Sequence, residues 1–259
     1  MLGHIISIPC KILFITFVFC IFSSSVIAEK CSTEESWCFS ASMYIWATAL
    51  GGETADGDDI DVSFSDLFDN LNFALMGAGA ARKGNWVVLT DVFYADLTVD
   101  ESITREILNT PVSADLEADL KNWILHFAGG YSISRSNTHN VDVIAGVRYL
   151  HLDTDLEIEV GPIEIDTNET DDVLDAIIGV QTYFDLNEKW FLQTHFDVGT
   201  GDSDLTWQAL GLLGYKHDNV DITLGYRHIK WEFGSSDSIS ETFDELEYTG
   251  PMLGARFHF

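Results

Sequence analysis

Three aromatic pairs, each a tryptophan followed eight positions later by a tyrosine, constrain this chain most: Trp86 and Tyr94, Trp123 and Tyr131, and Trp207 and Tyr215. An even spacing places both rings on one face of a β-strand, because side chains alternate with a period of two. Eight residues cover about 26 Å of strand, or about 20 Å of height at a tilt near 40°. Trp and Tyr favour the two interfaces of a bilayer, whose apolar band has about this height. With Trp190, these residues are predicted to form the membrane-interface aromatics of a β-barrel.

The N-terminus has the pattern of a secretory signal peptide. Lys11 precedes an apolar run of eleven residues, Ile12 to Phe22, interrupted only by Thr16, and the segment ends in Val26-Ile27-Ala28. A spanning helix needs about 20 apolar residues, so cleavage after Ala28 is expected, with an uncleaved anchor as the alternative. Residues 1–28 are then the signal peptide, and residues 29–259 form one barrel domain.

The charge of the chain excludes some partners and favours others. Lys11 is the only charged residue before Glu29, which leaves 12 basic and 42 acidic residues after cleavage, a formal charge of −30. Such a surface repels nucleic acid and favours divalent cations or basic partners, unless the acids only keep long loops soluble. Cys31 and Cys38 are the two cysteines that remain, and in an exported chain they are predicted to form a disulfide.

Ten segments alternate apolar and polar residues, and together they predict a closed antiparallel up-and-down transmembrane β-barrel, with eight strands as the alternative. Short polar links alternate with long acidic ones, as periplasmic turns alternate with extracellular loops. In the first long link, Ser63 and the spacing of Phe64, Leu67 and Phe68 predict a short amphipathic helix over the barrel mouth, with a strand extension as the alternative. The predicted strands are 39–50, 71–82, 86–97, 118–134, 141–153, 171–185, 190–199, 204–216, 220–232 and 245–259.

Charged side chains collect on the strand face opposite the aromatic pairs. A basic residue at the bilayer midplane costs about 2–4 kcal/mol, so these residues are predicted to face the lumen. Leu210 and Leu212 also fall on this inward face, which makes their strand the least clear. The predicted charged lumen network is Asp91, His126, Asp142, Arg148, Asp175, His195, Asp197, Asp221, Arg227 and Arg256.

The last strand, Pro251 to Phe259, alternates apolar residues and ends in Phe257-His258-Phe259. This terminus resembles the C-terminal signature of Gram-negative outer-membrane β-barrel proteins. The resemblance implies that Phe257 and Phe259 are an assembly signal for the barrel assembly machinery and that the protein lies in outer-membrane lipid. In broad plan the chain also resembles small OmpA-like barrels, although those have eight strands.

Catalytic and metal chemistry find little support in the sequence. His195 and Asp197 share a strand face, and the chain resembles ten-stranded omptin-type outer-membrane proteases in strand number. It shows no matching rim cluster, so no catalytic residue is assigned. The acidic stretch 56–61 lacks the spacing of an EF-hand, and no metal site or cofactor is predicted.

The sequence therefore predicts a non-enzymatic structural or surface-interaction barrel, porin-like in plan and with weak passage of small solutes at most. Two alternatives remain: an outer-membrane hydrolase that uses His195 and Asp197, and an adhesin or cation-bridging surface protein that acts through the acidic loops.

Overall fold

Ten antiparallel strands close into a barrel, as the alternation in the sequence predicts. The computed structural model describes residues 36–55, 57, 59–107, 110–160, 163–234, 239 and 242–259. The predicted signal peptide and Cys31 lie outside these residues, so cleavage and the disulfide to Cys38 stay predictions. The elements are β1 (Cys38–Trp46), β2 (Ala49–Thr54), β3 (Asp59–Val62), α1 (Phe64–Asp69), β4 (Leu71–Lys83), β5 (Trp86–Ile107), β6 (Thr110–Arg135), β7 (His139–Val160), β8 (Ile163–Asp185), β9 (Trp190–Gly201), β10 (Leu205–His217), β11 (Val220–Glu232) and β12 (Phe243–His258).

Closure depends on β1, which pairs with β12 on one side and with β4 on the other. The ring therefore contains β1 and β4 to β12, and the alternative of eight strands is wrong. Beyond a short break, β2 continues along β12 in the same register as β1, and β3 folds back onto β2. The predicted first strand thus covers β1 and the start of β2.

The four links that the sequence predicts as periplasmic turns lie together at one end of the barrel, because neighbouring strands are antiparallel and consecutive. Two-residue turns join β4 to β5 and β10 to β11, and in them Gly84 and Asp218 adopt φ values of 56° and 49°. Glycine tolerates this left-handed conformation freely, and aspartate does so more readily than most residues, which explains why these two residue types occupy the turns. At the same end, the Phe259 N–H donates to the Phe39 carbonyl at 2.9 Å.

The first long link, predicted as a loop with a helix, holds β2, β3 and α1. The Ser63 side chain caps α1 by accepting from the Asp66 N–H, as its position predicts. Leu67 of this helix packs against the apolar interior, so α1 lies over the barrel mouth. Within the described ranges, no helix is both long and apolar enough to cross a bilayer.

The outer face of the barrel is apolar between the two levels at which the predicted interface aromatics lie. The charged residues lie on the opposite, inward face, and Leu212 joins them there. Exposed apolar side chains on the outer face include Phe127, Val143, Val147, Ile178, Phe196, Ile222 and Leu224.

Four strands, β5 to β8, continue past the predicted boundary, and there the polarity of the two faces reverses. By alternation, Asp119 and Asp153 share the outward face of Trp123, whereas Leu120 and Leu152 face inward and pack in the apolar interior. The prediction of long loops over 98–117 and 154–170 is therefore wrong. β5 continues to Ile107 and β6 begins at Thr110, and in the same way β7 continues to Val160 and β8 begins at Ile163. Above the bilayer water replaces lipid, so acidic residues take the outward positions while the strand period persists.

Candidate functional site

The ten predicted lumen charges all lie on the inward face, and eight of them are buried. Asp91 and Arg256 are the two that are only partly buried. Their hydrogen bonds and ion pairs form one group at mid-height, in which Gln208 links Asp197 to Arg227, and separate pairs nearer the turns. Charges this deep are expected only when they are paired. Their partners are partly other members of the predicted set and partly residues that the sequence analysis did not single out.

The group at mid-height is built around Arg148 of β7. Its Nη2 donates to Asp197 Oδ1 at 2.6 Å, and its Nη1 donates to Thr206 Oγ1 at 2.8 Å. The other carboxylate oxygen of Asp197 lies 2.6 Å from His195 Nε2. Arg148 and Asp197 have no exposed surface, so this pair is fully desolvated.

The other half of this charged layer is built around Arg227 of β11. Its Nη1 donates to Asp91 Oδ1 at 2.8 Å, and its Nη2 donates to Gln208 Oε1 at 2.7 Å. Tyr44 also donates to the Asp91 carboxylate, and the guanidinium lies 4.8 Å from the Trp46 ring centre. Arg227 and Asp91 are 136 positions apart in sequence, and only barrel closure brings them together.

Nearer the turns, Arg82 pairs with Asp142, which also accepts from Ser132. Arg256 donates to Gln193, and Asp221 lies 2.8 Å from His258. Sequence reasoning missed Arg82, Tyr44, Thr206 and Gln208 as partners. Their inward parity was a usable signal, because each alternates with a residue of the outer face.

Above the charged layer, the lumen is filled with apolar side chains, which the sequence analysis did not predict. Under α1 this cluster leaves a cavity of about 50 Å³, lined by Leu67, Phe93 and Tyr248 among others. Charged layer and apolar cluster together occupy the interior. The largest fully buried members of the cluster are Trp46, Phe93, Ile124, Leu150, Ile229, Trp231, Ile239 and Leu246.

The predicted interface aromatics meet in cross-strand pairs at two levels. Trp86 lies opposite Tyr131 with ring centres 5.1 Å apart, and one level higher Tyr94 lies opposite Trp123 at 4.3 Å. Trp190 and Tyr215 form a third pair at 5.1 Å near the turn end. Trp207 lies at the other end of its strand, against His228 at 4.5 Å. Their role at the lipid interface stays a prediction.

The outward face of β6 to β8 beyond the aromatic level is strongly acidic. Residues 153–172 contain nine aspartates and glutamates and neither Lys nor Arg, and all of the nine except Glu169 and Asp171 take outward positions by alternation. Glu117 lies directly opposite Glu157, and Glu157 lies directly opposite Asp166, so three carboxylates form a row across three strands. We call this row the acidic row. Nearby, burial and the carboxylates of Glu169 and Asp172 raise the pKa of Asp171.

No family model matches the chain, and no curated protein matches its sequence. Among solved structures, the chain is similar to the translocator domain of the autotransporter NalP from Neisseria meningitidis, with TM-score 0.45, 12% identity, and 90% of this chain and 91% of that one covered. It is also similar to Ail, the attachment invasion locus protein of Yersinia pestis, with TM-score 0.37, 10% identity, and 87% and 99% covered. For Neisserial surface protein A the values are 0.36, 12%, 87% and 100%.

Because these TM-scores lie below 0.5, the fold is assigned from the strand pairing of the chain itself. A closed ten-stranded antiparallel barrel with an apolar outer belt and charges inside is the fold of an outer-membrane β-barrel protein.

Proposed function

We propose that this protein is a non-enzymatic surface-interaction barrel of the bacterial outer membrane, closed to solutes, that binds divalent cations or a basic partner through its acidic outer face. The observation that carries this proposal is the acidic row Glu117, Glu157 and Asp166. Directly opposed side chains on paired strands have Cβ atoms about 4.5–5.5 Å apart, so the row presents several carboxylates side by side. A divalent cation or a basic surface contacts more than one carboxylate of such a row at once.

The filled interior supports a role without conduction. The lumen holds the fully buried Arg148–Asp197 pair, the Arg227–Asp91 pair and the apolar cluster above them. Ten strands enclose little more space than the eight-stranded barrels that side chains fill completely. A steady large conductance in planar bilayers would contradict a closed lumen.

The buried state of His195 and Asp197 supports the non-enzymatic part of the proposal. Asp197 is already bound by Arg148, and His195 has 5% of its surface exposed. A hydrolase must bring its general base to a substrate and a water. Hydrolysis of peptides or lipids that disappears in His195→Ala would overturn this part.

The test of the acidic face compares two variants with the same charge change. The first carries Glu117→Gln, Glu157→Gln and Asp166→Asn, and the second carries Glu53→Gln, Asp59→Asn and Asp61→Asn on β2 and β3. Binding of polylysine and of Ca²⁺ to the protein in neutral lipid vesicles is measured by titration. We expect the first variant to lose affinity by about tenfold and the second to change by less than about threefold. Equal losses would show a non-specific charge effect, and unchanged binding in both would refute the role of the acidic row.

A further inference from the structure

We propose that His126, His195 and Asp197 form a transition-metal site in the centre of the lumen, suited to Zn²⁺ or another imidazole-binding divalent ion. Each side chain offers one ligand atom, and the three atoms lie within 4.8 Å of one another. All three residues are buried. This proposal does not depend on the acidic row, and it departs from the sequence-based expectation of no metal.

The barrel itself brings the ligands together. His195 and Asp197 are two residues apart on β9 and therefore share the inward face. His126 projects from β6, which is separated from β9 in the sheet by β7 and β8. The rings of His126 and His195 meet across the lumen with centres 5.5 Å apart.

An unsatisfied nitrogen is the independent observation that points to a ligand. Nε2 of His126 is buried and has no hydrogen-bond partner, and the residue as a whole has only 5% of its surface exposed. It is one of eight buried side-chain nitrogen and oxygen atoms without a partner among the described residues, and because buried polar atoms are almost always satisfied, it needs an explanation. A metal ion between the two imidazoles would satisfy this nitrogen.

The donor set has the chemistry of a transition-metal site. Neutral imidazole suits Zn²⁺, Cu²⁺, Ni²⁺ and Fe²⁺, whereas Ca²⁺ and Mg²⁺ prefer oxygen alone. Two histidines and one carboxylate are the three protein ligands of many open zinc sites, whose fourth position is taken by water. Metal–ligand bonds near 2.0–2.1 Å place tetrahedral ligand atoms about 3.4 Å apart. Side-chain rotations must therefore draw the widest pair together by up to about 1.4 Å and replace the 2.6 Å hydrogen bond between His195 Nε2 and Asp197 Oδ2 by bonds to the metal.

Arg148 supports the site instead of blocking it. It binds Oδ1 of Asp197 at 2.6 Å, which leaves Oδ2 directed at His195. A hydrogen bond of this kind orients a metal-binding carboxylate.

The experiment uses the full chain without an affinity tag, folded in detergent in the presence of Zn²⁺ and then freed of excess metal by gel filtration. Elemental analysis should find one Zn²⁺ per wild-type chain, and Co²⁺ loading should give the intense visible absorption of a tetrahedral nitrogen–oxygen site. His126→Gln and His195→Gln should weaken binding by more than about 100-fold, because loss of even an outer-shell partner costs 10–100-fold. Heat-modifiable gel mobility shows which variants are folded, and either folded variant is sufficient.

His228→Gln is the matched control, because His228 lies on β11 beside Trp207, away from the three ligands. It should bind Zn²⁺ like the wild type. The triple variant of the acidic row should also keep its Zn²⁺, which separates this site from cations held at the surface. A wild-type chain without stoichiometric metal, retention of metal by folded His126→Gln, or equal loss in His228→Gln would overturn the proposal.

Discussion

The buried pair between Arg148 and Asp197 permits a quantitative test of whether the lumen is dry. Arg148→Met removes the guanidinium and leaves a carboxylate without exposed surface facing His195 and Gln208. Breaking a buried ion pair by removing one partner costs about 3–5 kcal/mol, because the remaining charge stays desolvated. This corresponds to a change of about 10² to 10³·⁵ in the unfolding equilibrium constant.

The double variant Arg148→Met with Asp197→Leu separates the pair energy from the desolvation cost. Replacing both members of a buried pair by apolar side chains is often neutral or stabilising, so the double variant should be less damaged than either single variant. The assay is reversible urea unfolding of the barrel in lipid vesicles, followed by tryptophan fluorescence. Lys216→Met is the control, because the pair of Lys216 with Asp185 is partly exposed and should contribute less than about 1 kcal/mol.

Two results would refute this reasoning. A cost below about 1 kcal/mol for Arg148→Met would mean that water reaches Asp197 and that the lumen is hydrated at mid-height. Additive costs in the double variant would mean that the two side chains contribute independently, and that the 2.6 Å contact between them is energetically unimportant.

Three further predictions concern the outer half of the molecule. Leu67→Asp should detach α1 from the barrel, because it removes an apolar contact worth about 1.5–3 kcal/mol. Limited proteolysis should then cut near residues 63–70, while the heat-modifiable gel mobility of the barrel stays unchanged. Global unfolding of the variant would contradict this prediction. Replacing residues 99–116 and 155–169 by short turns should leave a folded barrel, because the lumen pairs and the closure by β1 lie below them; failure to assemble would show otherwise. The raised pKa of Asp171 means that its protonated form is favoured in the folded state, so its contribution to stability is present in acid and is lost as pH rises through its folded pKa. Protection factors of the outer part of β8, which are corrected for the intrinsic pH dependence of amide exchange, should be higher at pH 4 than at pH 7, and Asp171→Asn should weaken this difference.

The membrane part of the fold was predictable because one physical rule applies along every strand there. Lipid on one side and a crowded lumen on the other force apolar and polar residues to alternate, so Trp86 and Asp91 fall on opposite faces. The extensions were missed because the same alternation changes sign above the bilayer. In Asp155-Leu156-Glu157 the period of two persists, but acids take the outward positions, and acid-rich segments without an apolar outer face suggest loops.

The partners inside the lumen could not be predicted in the same way, because parity fixes the face of a side chain and says nothing of its height or of the opposite wall. His126 and His195 are 69 positions apart in sequence, and their contact depends on barrel closure and on the register of β6 to β9. A shift of one residue in any of these pairings would move a whole strand's charges to the lipid side. The lumen charges therefore also specify the register. Two correct alignments place Arg148 against Asp175 and Arg256 against Asp221, and a slipped alignment leaves a charge in hydrocarbon, at a cost of about 2–4 kcal/mol for a basic residue near the midplane. On this argument the buried charges are retained because they select one barrel among its slipped alternatives, whatever their net contribution to its stability.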